Sequence, residues 1–230
     1  MERRSFLRAS ALSAGGLGGS AAAILTASAA NPLRVQLLMF DGVEEQDWAV
    51  PAEVLGLAGG LSGGALTTTL VTTGRPGTVT CSFGARVEVA KGWSPHEADV
   101  LVVPGGGRYT DPTSPGVPRL MADREFLRRL ASIDALPVGI CTGVMVLSAA
   151  GITKGRNATT HHRAKADLAA RGAIVVDARV VDDGDLITGG GVTSGLDVGL
   201  WLVERFLGAR SAQQAETFLE YERRGTVWRA

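Results

Sequence analysis

Residues 138–151 read VGICTGVMVLSAAG, and Cys141 stands in that stretch with Gly139 and Gly143 each two positions away. A thiol at a sharp join between strand and helix is pushed into a strained backbone and held above the sheet. Neighbours two positions away then pass so close that side chains would clash, and glycine removes the clash. G-I-C-T-G is therefore a thiol version of the G-x-S-x-G nucleophile elbow. A helix beginning at Thr142 would aim free N–H groups at the sulfur, which predicts a lowered thiol pKa. The competing reading is a buried free cysteine acting as a small hydrophobe. The symmetric glycines and the helix start favour a nucleophile.

A nucleophile needs a proton carrier. The α/β-hydrolases run nucleophile, acid, then histidine, but residues 143–159 hold no Asp or Glu, so His161 and His162 arrive before any acid. His96, the remaining histidine, lies upstream beside Pro95 and Glu97. The partner is expected to be a carboxylate, and residues 44–53 supply Asp47 with Glu44, Glu45 and Glu53 as its rivals.

These residues must be positioned by the elements between them. Residues 33–40 (LRVQLLMF), 65–73, 99–103 (DVLVV), 136–140, 174–176, 179–181 and 186–188 read as strands, and 79–89 as a hairpin around Ser82-Phe83-Gly84. Helices are expected at 47–58, 119–133, 142–150, 163–171, 193–207 and 212–221, with Thr193 or Ser194 capping the fifth. Strands alternating with helices imply right-handed crossovers and a mostly parallel sheet covered on both faces, a three-layer α/β sandwich of flavodoxin-like type. Ligands in such sheets bind beyond the carboxyl ends of the strands. Two strand ends stand out: PGGG after Val103 and Cys141 after Ile140.

The N-terminus reads differently. MERRSFLRAS followed by an Ala/Gly-rich run to Ala30 resembles a twin-arginine export signal over residues 1–29, with Ala27-Ser28-Ala29 as the cleavage site. With Arg3, Arg4, Arg8 and Glu2 removed, 20 basic and 22 acidic residues remain. No basic run is left to neutralise phosphates, so nucleic acid is not an expected partner. The Ala/Gly run is too weakly apolar for a spanning helix, so no stable membrane insertion is expected after signal removal. Two cysteines make no disulfide framework, and no dense His/Cys/carboxylate cluster suggests a metal; no cofactor is expected.

Over residues 33–221 the chain resembles the ThiJ/PfpI superfamily of the class I glutamine amidotransferase-like fold. The resemblance is carried by Asp47-x-x-x-Pro51, VPGGG at 103–107, GICTG, KGRNATTHH at 154–162 and DLITGGGVTSGLDVGLWLVERFLG at 185–208. Thr142 after the cysteine, with the last two motifs, is most similar to the isonitrile hydratase-like branch. A histidine follows the cysteine in the peptidase-like branch, so Thr142 argues against proteolysis. By resemblance Asp47 is the acid facing the sulfur, and Gly106, beside Gly105, presents its N–H to a small-molecule substrate. His161 lines the site in some relatives, and a homodimer is implied. The resemblance also implies addition of water to an isonitrile by Cys141, Asp47 and Thr142. The alternatives are a glyoxalase or deglycase acting on small carbonyls, and a non-catalytic ligand-binding member. Val50 and His162 depart from the branch, which usually has glycine and tryptophan there, and they are expected to reshape the pocket.

Overall fold

The computed structural model describes residues 27–230. The proposed export signal lies almost wholly outside the described residues; of its cleavage site, Ala27 donates its N–H to the Phe206 carbonyl (3.2 Å), and Ser28 bridges Asn31.

In chain order the elements are β1 (Leu33–Met39), α1 (Glu45–Leu61), β2 (Leu66–Thr72), β3 (Gly77–Thr80), β4 (Arg86–Val89), β5 (Val100–Val103), α2 (Val117–Ala122), α3 (Arg124–Ala131), β6 (Leu136–Ile140) and α4 (Gly143–Ala149). There follow β7 (Asn157–Ala158), α5 (Lys165–Ala170), β8 (Ile174–Val175), β9 (Val180–Asp182), β10 (Ile187–Gly189), α6 (Ser194–Leu207), α7 (Ala209–Leu219) and β11 (Trp228–Arg229). The main sheet runs β11-β9-β10-β6-β5-β1-β2. Its five strands β2-β1-β5-β6-β10 are parallel, and β9 is antiparallel to β10. This is the flavodoxin-like order, with the chain reversing direction across the sheet at β1 and β5.

Period-two alternation divides the core between the two faces of the sheet. Val100 and Val102 of β5 face one apolar cluster, with Val54 and Leu55 of α1 and Val198 and Leu202 of α6. Leu101 and Val103 face the other, with Leu120 of α2, Leu130 of α3, Val144 and Leu147 of α4, and Leu168 of α5. The three-layer expectation is met.

Local departures have local causes. The expected helix over 119–133 is two helices, because Asp123 leaves helical geometry and accepts the N–H groups of Glu125 and Phe126 (3.0 Å each) as the N-cap of α3. Neither Thr193 nor Ser194 caps α6: Thr193 accepts from Arg179, and Ser194 donates its hydroxyl to the Gly190 carbonyl. The short strands β7 and β11 carry too few residues for a period to be read. Pro51 sits inside α1, four residues after Asp47, with no N–H to give to the Asp47 carbonyl.

Candidate active site

The carboxyl ends of β1, β5, β6 and β10 converge beside the reversal point, and the residues that follow them build one site. Cys141 follows β6 directly. Its φ is +55°, one of two positive values among the described non-glycine residues, so the strained elbow expected from the sequence is present. Its N–H donates to the carbonyls of Gly190 (2.8 Å) and Gly189 (3.2 Å), and its carbonyl accepts the Thr160 hydroxyl (2.7 Å). These bonds hold a conformation that costs about 1–3 kcal/mol.

The flanking glycines are required by close approach. A Cβ on Gly143 would lie 2.0 Å from the Val103 carbonyl oxygen, and one on Gly139 2.8 Å from Val144 Cγ2. The elbow therefore presses against the end of β5 on one side and against α4 on the other.

Asp47, in the first turn of α1, is fully buried. One carboxyl oxygen, Oδ2, accepts the Gly105 N–H at 2.8 Å, while Oδ1 has no nitrogen or oxygen partner. Burial pushes this carboxyl up to about 7, against the pull of the Gly105 N–H and the Cys141 thiol, while Glu44 adds to the rise. The thiol in turn is pushed up to about 12, by burial first and by the Asp47 charge second; the N–H groups of Val192 and Thr142 oppose the rise. The lowered thiol pKa expected from a helix start is thus reversed. Helix α4 has seven residues, and desolvation of a buried sulfur outweighs its two facing donors.

Thr142 and Asp47 meet over Gly105. A Cβ there would lie 2.6 Å from Thr142 Oγ1, 2.7 Å from Asp47 Oδ2 and 2.8 Å from the Thr142 nitrogen. Gly106, at φ +147°, gives its N–H to Thr142 Oγ1 at 3.2 Å. The expected substrate-facing donor is therefore already engaged within the protein. That bond uses the Thr142 oxygen as an acceptor. Gly106 can take no side chain, since a Cβ would lie 2.2 Å from the Gly42 carbonyl oxygen.

His161 stands at the edge of the site. A Cβ on Gly191 would meet its Cδ2 at 2.8 Å, which places the ring against the loop whose Val192 N–H faces the sulfur. Its Nδ1 accepts the Arg163 N–H (3.3 Å), its ring lies against that of His162 at 4.3 Å, and burial lowers its pKa. Of the rival acids, Glu44 stays beside the site, where its N–H donates to the Gly105 carbonyl (3.0 Å) and its charge adds to the rise at Asp47. The other two fall elsewhere. Glu45 accepts the Phe83 N–H of the β3–β4 hairpin (2.8 Å), and Glu53 is an exposed residue of α1.

Two contributors escaped the sequence reading. Val192 acts through its backbone N–H, which no residue type reveals, and the GGGVTSG run reads as a helix start alone. Thr160 gives its hydroxyl to the Cys141 carbonyl. Cys81 is a second buried free thiol. Among the described residues no group of three or more His, Cys, Asp or Glu is placed to hold a metal ion, and no helix is long and apolar enough to cross a membrane.

Residues 33–205 match the DJ-1/PfpI family. The chain is 42% identical to an isonitrile hydratase of Pseudomonas putida over 126 residues, which is 54% of this chain and 52% of that protein. The match thus spans about half of the hydratase's length. It is 34% identical to a deglycase of Pyrococcus horikoshii over 49% of this chain and 66% of that one. Among solved structures, a ThiJ/PfpI family protein from Pseudomonas syringae superposes with a TM-score of 0.74 at 27% identity, covering 91% of this chain and 84% of that one.

Proposed function

The chain belongs to the DJ-1/PfpI family, and from that premise we propose that it is a cysteine-dependent hydro-lyase that adds water to an isonitrile to give an N-substituted formamide. The observation that carries the proposal is the buried pair of Cys141 and Asp47, each shifting the other's proton affinity, with Thr142 packed against the same glycine. The hydratase relative supports the choice of reaction.

In the proposed cycle the pair holds one proton. That proton rests on the sulfur, and its transfer to Asp47 makes Cys141 a thiolate facing a carboxylic acid. The sulfur bonds to the terminal isonitrile carbon while Asp47 delivers its proton to that carbon, giving a thioimidate and a carboxylate. Asp47 then takes a proton from water as the oxygen bonds to the same carbon, and passes it to the substrate nitrogen. Collapse of this adduct breaks the carbon–sulfur bond, and the hydroxyl proton returns to Asp47. Formamide leaves, and the thiolate and acid are restored. The N–H groups of Thr142 and Val192 stabilise the sulfur's charge at both ends of the cycle, and the Thr142 hydroxyl, fixed by Gly106, orients the acid or the water.

The test is turnover of simple aryl and alkyl isonitriles, with formamide as product, by wild type and by Cys141→Ser and Asp47→Asn. Methylglyoxal consumed while isonitriles of several sizes stay inert would transfer the assignment to carbonyl chemistry, which the deglycase relative and the nearby His161 would then support. Export through the twin-arginine route and assembly as a homodimer are part of the same proposal. An exported protein still carrying residues 1–29 by mass spectrometry would refute cleavage, and a monomer in sedimentation would refute the dimer.

A further inference from the structure

The segment between β10 and α6, residues 190–193, touches the nucleophile twice, and neither contact is made by a side chain. The Gly190 carbonyl accepts the Cys141 N–H (2.8 Å), and the Val192 N–H faces the sulfur. A four-residue segment with glycine at 190 and 191 has little stiffness of its own. Its position is fixed from outside by Arg179, the residue just before β9. The Arg179 carbonyl accepts the Gly190 N–H (2.9 Å), and its guanidinium Nη2 donates to Thr193 Oγ1 (2.9 Å), so one arginine grips both ends of the segment. Its Nε donates to Asp197, which is almost fully buried in α6. Asp197 is itself locked by the Tyr221 hydroxyl (3.1 Å) and the Arg224 N–H (2.8 Å).

We infer that Arg179 and Asp197 form a positioning clasp that sets the distance between the Val192 N–H and the Cys141 sulfur. The clasp thereby sets how readily the nucleophile forms its thiolate. Neither residue touches substrate. The geometry explains why a planar fork is used: one edge meets a carboxylate on the helix while the other reaches a hydroxyl on the loop, an arrangement an ammonium group does not reproduce. It also gives the segment after α7 a part in the site, since Tyr221 and Arg224 hold the carboxylate that holds the arginine. The inference rests on the reading of Cys141 as a nucleophile, but not on the identity of the substrate.

The experiment measures the pH dependence of Cys141 alkylation by iodoacetamide, without substrate, in a Cys81→Ser background so that one thiol is followed. The charged and titratable groups around the sulfur are Asp47, Glu44 beyond it, and His161 behind Gly191; all are unchanged in the variants. Thr193→Val removes the loop end of the clasp with no change of charge. Arg179→Lys keeps the charge and loses the fork. Both are expected to move the alkylation profile to higher pH. At a fixed pH below the profile, alkylation then slows by about tenfold for each whole pH step that the profile moves. Arg179→Met is expected to move it at least as far, and circular dichroism checks that this variant folds. A wild-type profile in both Thr193→Val and Arg179→Lys overturns the clasp, whether Arg179→Met moves or not, because a change in that variant alone reports lost charge. Failure of the nucleophile reading is distinct, since Cys141 would then resist alkylation in the parent protein at every pH.

Discussion

Two aspartates are buried to nearly the same degree in this molecule, and they are treated in opposite ways. Asp197, in the first turn of α6, receives Arg179, the Tyr221 hydroxyl and the Arg224 N–H. Asp47, in the first turn of α1, receives one backbone N–H and leaves an oxygen without a nitrogen or oxygen partner. A buried carboxylate surrounded by donors is a fixed anion that organises structure. One left short of donors holds its proton more tightly, and its rise to about 7 places it where it can give and take a proton near neutrality. With burial nearly the same, the two sites differ in their donors, and on the proposed reading the carboxyl with fewer of them is the one that moves a proton.

The comparison is broken most directly by exchanging the roles. If Asp47 is the proton carrier, Asp47→Asn lowers formamide formation by about a hundredfold to ten-thousandfold, and Cys141→Ser removes it, while Asp197→Asn loses far less, through a loosened clasp alone. Equal losses for the two asparagine variants would dissolve the distinction. For stability the order is reversed. Asp197→Ala strands Arg179, and since that arginine is partly exposed the expected loss is about 3 kcal/mol, at the low end for a broken buried pair. Urea unfolding of the two variants side by side reads the difference.

A finer test uses pH. Asp47 has its folded pKa raised from the ordinary 3.8 to about 7. Between those values the unfolded chain has released this proton and the folded chain keeps it, so stability falls as pH rises through the window and levels off above 7. The whole effect is on the order of 4 kcal/mol for a rise of this size. Asp47→Asn should lack that slope. Activity runs the other way: the pair must lose one of its two protons before a thiolate can form, so turnover should climb through pH 7 as stability declines. A stability slope that persists in Asp47→Asn would assign it to another group.

The same contrast explains what was legible in the sequence. The parallel sheet was readable because runs such as DVLVV and LRVQLLMF are mostly apolar and bounded by glycine or polar turns. The elbow was readable because close packing against backbone leaves a glycine signature at 139 and 143. Donor assignments were not readable. The PGGG run suggested a substrate-facing Gly106 N–H, yet that N–H goes to Thr142 Oγ1, and a glycine reports close approach without saying to which atom. The direction in which the Cys141 pKa moves was hidden for a related reason. The Thr142 N–H can be anticipated from a strand–helix join, but the depth of burial around the sulfur is a property of the assembled core. Asp197 carried no signal because its partners lie at 179, 221 and 224.

The smallest predicted effect probes how tightly the chemical carboxylate is placed. Gly105 has no positive φ to explain its identity, so the case rests on space. A methyl group there would sit within 2.8 Å of Thr142 Oγ1, Asp47 Oδ2 and the Thr142 nitrogen at once. Two of these belong to the elbow backbone and its adjacent hydroxyl, and the elbow is held by hydrogen bonds at both the N–H and the carbonyl of Cys141. Asp47 carries a hydrogen bond from Gly105 itself, which makes the carboxyl the group most easily displaced. Gly105→Ala should therefore cost about 1–3 kcal/mol of stability, the range for forcing added carbon into a packed site. It should lower turnover by about tenfold to a hundredfold through misplacement of the proton carrier, with Cys141 alkylation much less affected. Asp197 lies outside this contact, so Asp197→Asn combined with Gly105→Ala should show additive stability losses. Non-additive losses would mean that the two aspartates, for all their difference, are parts of one device.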